Sequence, residues 1–242
     1  MNTKAVDLLA DRLRPLGWVT DLFVGGSAAT GDYRAGVSDL DLVALVDGPV
    51  GSERRATLVA MHRDLDTTDA AGANLGCVYV ARAALLEPAL RHPTWTHGAL
   101  VERILSGIAR AELVRYGFAV FGQSPRDVLP AVTDADVRAA AAAELGGYWA
   151  MAVRRPRWWL DPTIADLGLT SMARGRHALE TGQLMTKSEA IEVADAPDWL
   201  RADLRARRRG TPTRSPRLRT AWIAWNDARR TTAAAKRWKP PS

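Results

Sequence analysis

Apolar positions along the first ninety residues switch between two periods. Val6, Leu9 and Leu13 recur at helical spacing, and Pro15-Leu16-Gly17 stops that helix. Leu22-Phe23-Val24 then runs into Gly25-Gly26-Ser27, the pattern of a strand that turns tightly into a helix. In Asp39-Leu40-Asp41-Leu42-Val43-Ala44 the period is two, so Asp39, Asp41 and Val43 share one face of a strand and Leu40, Leu42 and Ala44 the other. Asp47-Gly48-Pro49 makes a turn, Ser52 opens a helix to about Leu65, residues 66–74 form a polar loop, and Leu75–Val80 reads as a third strand. Strands separated by helices and short turns predict a small α/β domain.

Beyond Pro93 the period is helical. Leu100, Ile104, Leu105, Ile108 and Leu113 predict a helix from Gly98 to Tyr116, and Ala119–Pro125 is a short extended segment that closes the first domain. The boundary falls near Pro130, giving domains of residues 1–130 and 131–242. Asp134 can cap an alanine-rich helix that ends before Pro156, and a further helix covers Thr163–Thr181 with Gly182 as its stop. Thr186-Lys187-Ser188-Glu189 fits a capping box, in which the Thr hydroxyl and the Glu carboxylate satisfy free N–H groups at a helix start. That helix runs to about Ala194; an arginine-rich segment from Trp199 to Arg209 and an amphipathic helix from Leu218 to Trp238 complete an all-α bundle.

With 242 residues, 47% of them apolar, the chain can bury a full core in two modest domains. No apolar run reaches the roughly 18 residues of a membrane span and the N-terminus has no export-type apolar segment, so a cytoplasmic protein is expected. Cys77, the single cysteine, sits in an apolar strand as an inert thiol, and the four histidines lack metal-ligand spacing, which argues against a zinc enzyme. The net charge of +6 is unevenly placed: residues 201–242 carry 13 Lys and Arg against 2 Asp and Glu. Such a block reads as a solvated helix face or loop, with RNA as the alternative partner.

The chemistry is concentrated before residue 45. A Gly-Ser turn opening a helix presents backbone N–H groups to an anion, here a phosphate. Asp39 and Asp41 on one face repel each other unless a cation lies between them, and a hard divalent ion such as Mg2+ suits oxygen ligands.

Gly26-Ser27, an eleven-residue gap and Asp39-x-Asp41 on an apolar strand resemble the signature of the nucleotidyltransferase (polymerase beta-like) superfamily. That resemblance implies a mixed-sheet nucleotidyltransferase fold in which the Gly-Ser turn holds the triphosphate and the Asp pair holds the metals. Arg174, Thr181-Gly182 and Lys187 are similar to the helical C-terminal domain of the streptomycin/spectinomycin adenylyltransferases, and the likeness extends from about residue 20 to 195, with Ser38 matching a Ser-Asp-x-Asp. By this resemblance Gly26, Ser27 and Ser38 contact the ATP phosphates from one domain, and Arg174 and Lys187 from the other, across the cleft. It also implies transfer of AMP from ATP, with Mg2+, to a hydroxyl of a small polar acceptor such as an aminoglycoside. Glu102–Ile108 resembles the family's interdomain helix.

Two positions depart from the family. Its third carboxylate, the base that deprotonates the attacking hydroxyl, falls at Gly76, and Leu100 stands where it has a drug-binding tryptophan. Trp158, Trp159, Asp161 and Asp166 are suitable residue types for a cationic sugar but out of register. Two alternatives follow: a nucleotide-binding regulatory protein that has lost catalysis, motivated by Gly76, and a nucleotidyltransferase acting on RNA or protein, motivated by the basic tail.

Overall fold

The computed structural model describes residues 3–238, and the chain divides into two compact units, one up to Ala131 and one from Val132. The first unit opens with α1 (Thr3–Leu13), β1 (Val19–Val24), α2 (Gly26–Ala29), β2 (Leu40–Val46), α3 (Ser52–Thr67) and β3 (Leu75–Ala81). It continues with β4 (Arg91–Thr96), β5 (Ala99–Ile104), α4 (Gly107–Tyr116), β6 (Phe118–Phe121) and α5 (Pro125–Val128). The strands make one sheet in the order β5-β4-β3-β2-β1-β6, with β2 and β3 parallel and every other pair antiparallel. It is a mixed α/β architecture.

The period of two in β2 assigns its faces. Leu40, Leu42, Ala44 and Val46 are buried with Leu75, Cys77 and Tyr79 of β3 and with residues of α1 and α3, among them Leu9, Leu13, Leu58 and Leu65. On the other face Val43 and Leu45 pack with Phe23, Val80, and Leu113 of α4. Both faces are covered along most of β2, but at its start Asp39 and Asp41 stay exposed. Asp21 of β1, 1% exposed, is satisfied by Arg82 at 2.5 Å, the Gln123 N–H at 2.7 Å and the Thr20 hydroxyl at 2.6 Å. A buried carboxylate is tolerated only with such a complete shell.

The stretch beyond Pro93 differs from its expected helical reading. Arg91–Thr96 and Ala99–Ile104 form an antiparallel hairpin, and the helix begins only at Gly107, where the Ser106 hydroxyl accepts the Ala109 N–H at 3.1 Å. Glu102–Ile104, expected in an interdomain helix, therefore ends a strand. Its apolar residues mimicked a helix because β5 is an edge strand with mostly exposed side chains, so burial imposes no clean alternation on them.

The second unit is helical: α6 (Asp134–Glu144), a π-helical turn (Leu145–Trp149), α7 (Ala150–Val153), a 3-10 segment (Pro156–Leu160), α8 (Pro162–Thr181), α9 (Lys187–Glu192), α10 (Asp198–Arg208) and α11 (Arg217–Ala235). The cap of α6 is Thr133 in a capping box with Asp136, one residue before the expected Asp134. Thr186 and Glu189 form the second box at α9. Leu145, Trp149, Trp159, Leu169, Met172, Leu200 and Ala224 are central to its core. Much of the basic tail is tied into this unit: Arg207 grips Asp166 through two nitrogens at 2.6 and 2.9 Å, Arg205 pairs with Glu192, and Arg230 with Asp195. No helix among the described residues is long and apolar enough to cross a membrane.

Candidate active site

The exposed start of β2 borders a cavity of about 340 Å³ in the first unit. Asp39 and Asp41 line it together with Asp66, Asn74, Gly76, Thr96, His97 and Arg103. Its polar walls follow from the sheet's geometry. The start of β2 lies next to the start of β3, because the two strands are parallel, and the Leu40 N–H bonds the Asn74 carbonyl at 3.0 Å.

The glycine turn lies directly against this edge. The Gly25 N–H donates to the Asp41 carbonyl at 2.8 Å. Gly26 has φ +54°, and a Cβ built there would stand 2.8 Å from Asp41 Cγ and closer still to its carboxylate oxygen. Glycine is therefore required twice, for the left-handed backbone and for the close approach. The N–H groups of Gly26, Ser27 and Ala28 open α2 and have no carbonyl four residues back within it. The sequence pattern of turn and Asp pair thus becomes one place in space.

Ser38, 3% exposed, is built into the preceding loop: its hydroxyl accepts the Arg34 N–H at 3.0 Å, and its own N–H donates to the Arg34 carbonyl at 2.8 Å. That loop delivers Asp39 to the strand. Gly76 occupies the β3 position in register with Asp41, and a side chain there would meet nothing closer than the Leu40 carbonyl at 3.6 Å. The site of the expected third carboxylate is hence beside Asp41, with room for a side chain that the chain lacks. Arg174 and Lys187 belong to the second unit. Arg174 Nε donates to the Met185 carbonyl at 2.8 Å, which ties α8 to the segment before α9, and Lys187 is the first residue of α9, a helix of only six residues.

Among the described residues no group of three or more His, Cys, Asp and Glu is arranged to hold a metal ion. Asp39 and Asp41 instead offer a pair of exposed carboxylates on one strand face. That donor set fits Mg2+, which takes one or two protein carboxylates and completes its shell with water and substrate phosphates.

Thr96, His97 and Arg103 were missed by sequence reasoning because the β4–β5 hairpin that carries them was not recognised, its second half being read as helix from Gly98, while Asp66, expected in a loop of residues 66–74, lies in the last turn of α3. The available signal was local. Thr94-Trp95-Thr96 has strand-type residues, and a Gly at position 98 suits a two-residue turn. Within the core, His62 of α3 stacks on Trp95 at 4.9 Å and contacts the Tyr79 hydroxyl at 2.6 Å. Burial holds His62 neutral, with its pKa lowered to about 3.

The family model described as nucleotidyltransferase domain matches residues 6–69, which include Gly26, Ser27, Asp39 and Asp41. Among solved structures, the chain is similar to spectinomycin adenyltransferase AAD(9) from Enterococcus faecialis, solved with ATP and spectinomycin. The TM-score is 0.68 at 14% identity, covering 98% of this chain and 100% of that one. No curated protein matches the sequence. The chain thus carries a nucleotidyltransferase domain, is an enzyme of that kind, and in fold resembles an adenyltransferase, its own second unit being helical.

Proposed function

We propose that this enzyme transfers AMP from ATP, with Mg2+, to a hydroxyl group of a small polar, aminoglycoside-like acceptor. The observation that carries the reading is the contact between the Gly26 turn and the Asp41 carboxylate at the edge of the cavity, which joins a phosphate-type turn to a metal-type carboxylate pair. The acceptor class draws support from the similar solved structure, which contains ATP and spectinomycin.

Asp39 and Asp41 would hold Mg2+, which supplies positive charge to the triphosphate and lowers the cost of charge build-up at the α-phosphate. The remaining work falls to the chain. Backbone N–H groups of Gly26 and Ser27 bind phosphate oxygens, Ser38 holds the loop that sets Asp39, and Arg174 and Lys187 add charge-assisted contacts to the nucleotide. Binding in this way orients the α-phosphate for in-line attack.

The test is incubation of the purified protein with α-labelled ATP, Mg2+ and a panel of spectinomycin, streptomycin and other aminoglycosides. Wild type should yield a labelled acceptor, and Asp39→Asn or Asp41→Asn should yield none while remaining folded. Unchanged labelling in either variant would remove the metal assignment.

A further inference from the structure

The nucleotidyl transfer proposed above needs a group to take the proton from the attacking hydroxyl, and Gly76 cannot. Resting on that reading, we infer that His97, at the tip of the β4–β5 hairpin, is the base. The sheet register narrows the candidates. Asp41 and Gly76 are partners on neighbouring strands, and Cys77 pairs with Trp95 and Val78 with Thr94 on β4, so the register carries on to Thr96 opposite Gly76, with His97 next along as the first residue of the turn. Both line the cavity with Asp39 and Asp41.

The other groups in that cavity fit the role less well. Arg103 is a cation and has no proton-accepting capacity at neutral pH. Asp66 comes from α3, which packs on the Leu40 and Cys77 face, opposite to Asp41, and its carboxylate accepts the Trp95 indole N–H at 3.0 Å. His97 is exposed, and its ring has no hydrogen-bond partner among the described residues.

The backbone gives an independent reason to look at His97. It and Gly98 form a two-residue turn between the paired Thr96 and Ala99, with φ values of +49° and +74°. This doubly left-handed turn is served best by Asn-Gly or Gly-Gly. Asparagine is the usual first residue of such a turn, histidine is among the few other side chains tolerated at positive φ, and the turn fixes it where it lines the polar cavity.

The step balances without a further reactant. The acceptor oxygen bonds to the α-phosphorus as the bond from that phosphorus to the oxygen bridging to the β-phosphate breaks. Pyrophosphate leaves with the electron pair, and the hydroxyl proton passes to a ring nitrogen of His97, which then returns it to solvent.

The turn itself supplies clean variants, since His97→Asn and His97→Gly both suit it. The measurement is AMP formation from α-labelled ATP, as transfer to spectinomycin or to water, alongside the MgATP-induced rise in melting temperature. His97→Asn should keep that rise and lose on the order of 100-fold or more in rate, the usual range for a lost general base. His97→Gly should regain rate with added imidazole, and Gly76→Glu placed in the His97→Asn background should also restore it. Wild-type turnover in His97→Asn, or a comparable loss with Asp66→Asn alone, would overturn the assignment while leaving nucleotidyl transfer intact. A wild-type protein that forms no AMP with any acceptor or water would refute the transfer reading and this inference with it.

Discussion

The acidic residues of the second unit and those at the cavity edge of the first are used in different ways. In the second unit they are joined to arginines: Asp166 to Arg207, Asp227 to Arg176 at 2.5 Å, Glu192 to Arg205 and Asp195 to Arg230. At the cavity of the first unit, Asp39 and Asp41 stand exposed side by side on one strand face, with the backbone of a glycine turn pressed against the second. Pairing with arginine neutralises a carboxylate within the fold, whereas exposed carboxylates that line a cavity are accessible to a cationic ligand. The contrast separates the half of the molecule where acids hold structure from the edge where they hold chemistry.

The most damaging way to break that contrast is Gly26→Val. It forces a branched side chain into a left-handed backbone and against Asp41, so AMP transfer should fall by several orders of magnitude, measured with α-labelled ATP. A rate within tenfold of wild type would show that the close approach is dispensable.

Acid should separate the units by sign. His62 has a folded pKa of about 3, below its unfolded value of about 6.5, so its contribution to stability is present above pH 6.5 and is lost as pH falls toward 3. Over the whole window that amounts to roughly 5 kcal/mol. Asp166 and Asp227 are shifted the other way, raised by burial against the opposing pull of Arg207 and Arg176. Their contribution is fully present below the unfolded Asp value and is lost as pH rises through the raised folded one. Melting curves between pH 7 and 4 should therefore show His62→Gln with a flatter acid decline than wild type; identical slopes would contradict the role given to His62.

Asp227 offers the complementary test in the paired half. Asp227→Ala leaves Arg176 without its carboxylate and should cost about 3 kcal/mol, the lower end for a broken buried pair because Arg176 is 29% exposed. Denaturant unfolding measures it, and AMP transfer per folded molecule should be little changed.

How much of this was legible beforehand depended on whether neighbours in sequence are neighbours in space. The Gly26 turn and the Asp39-x-Asp41 strand were readable because a period of two and a glycine turn fix local geometry, and β1, β2 and β3 are adjacent in the sheet. The β4–β5 hairpin was not. Leu100, Ile104, Leu105 and Ile108 have helical spacing, and an exposed edge strand carries no opposing burial pattern. With the hairpin went His97 and Arg103, so the cavity wall opposite Asp41 was invisible. The cap of α6 was missed by one residue because Thr133-x-x-Asp136 uses Asp where a capping box usually has Glu or Gln.

A smaller effect is expected from the second unit's proposed nucleotide contacts. Arg174→Ala and Lys187→Ala should each weaken ATP binding by about tenfold, equivalent to roughly 1.4 kcal/mol, as read by calorimetry. Unaltered affinity in both would return these residues to ordinary structural and surface roles.

The most direct measurement of the central claim is the change in melting temperature caused by MgATP in wild type and in Asp41→Asn. A ligand that binds only the folded state raises the transition by linkage. The account predicts a clear rise for wild type that requires Mg2+, and its loss in a folded Asp41→Asn variant. An equal, magnesium-dependent rise in Asp41→Asn would contradict the carboxylate pair as the seat of metal-nucleotide binding.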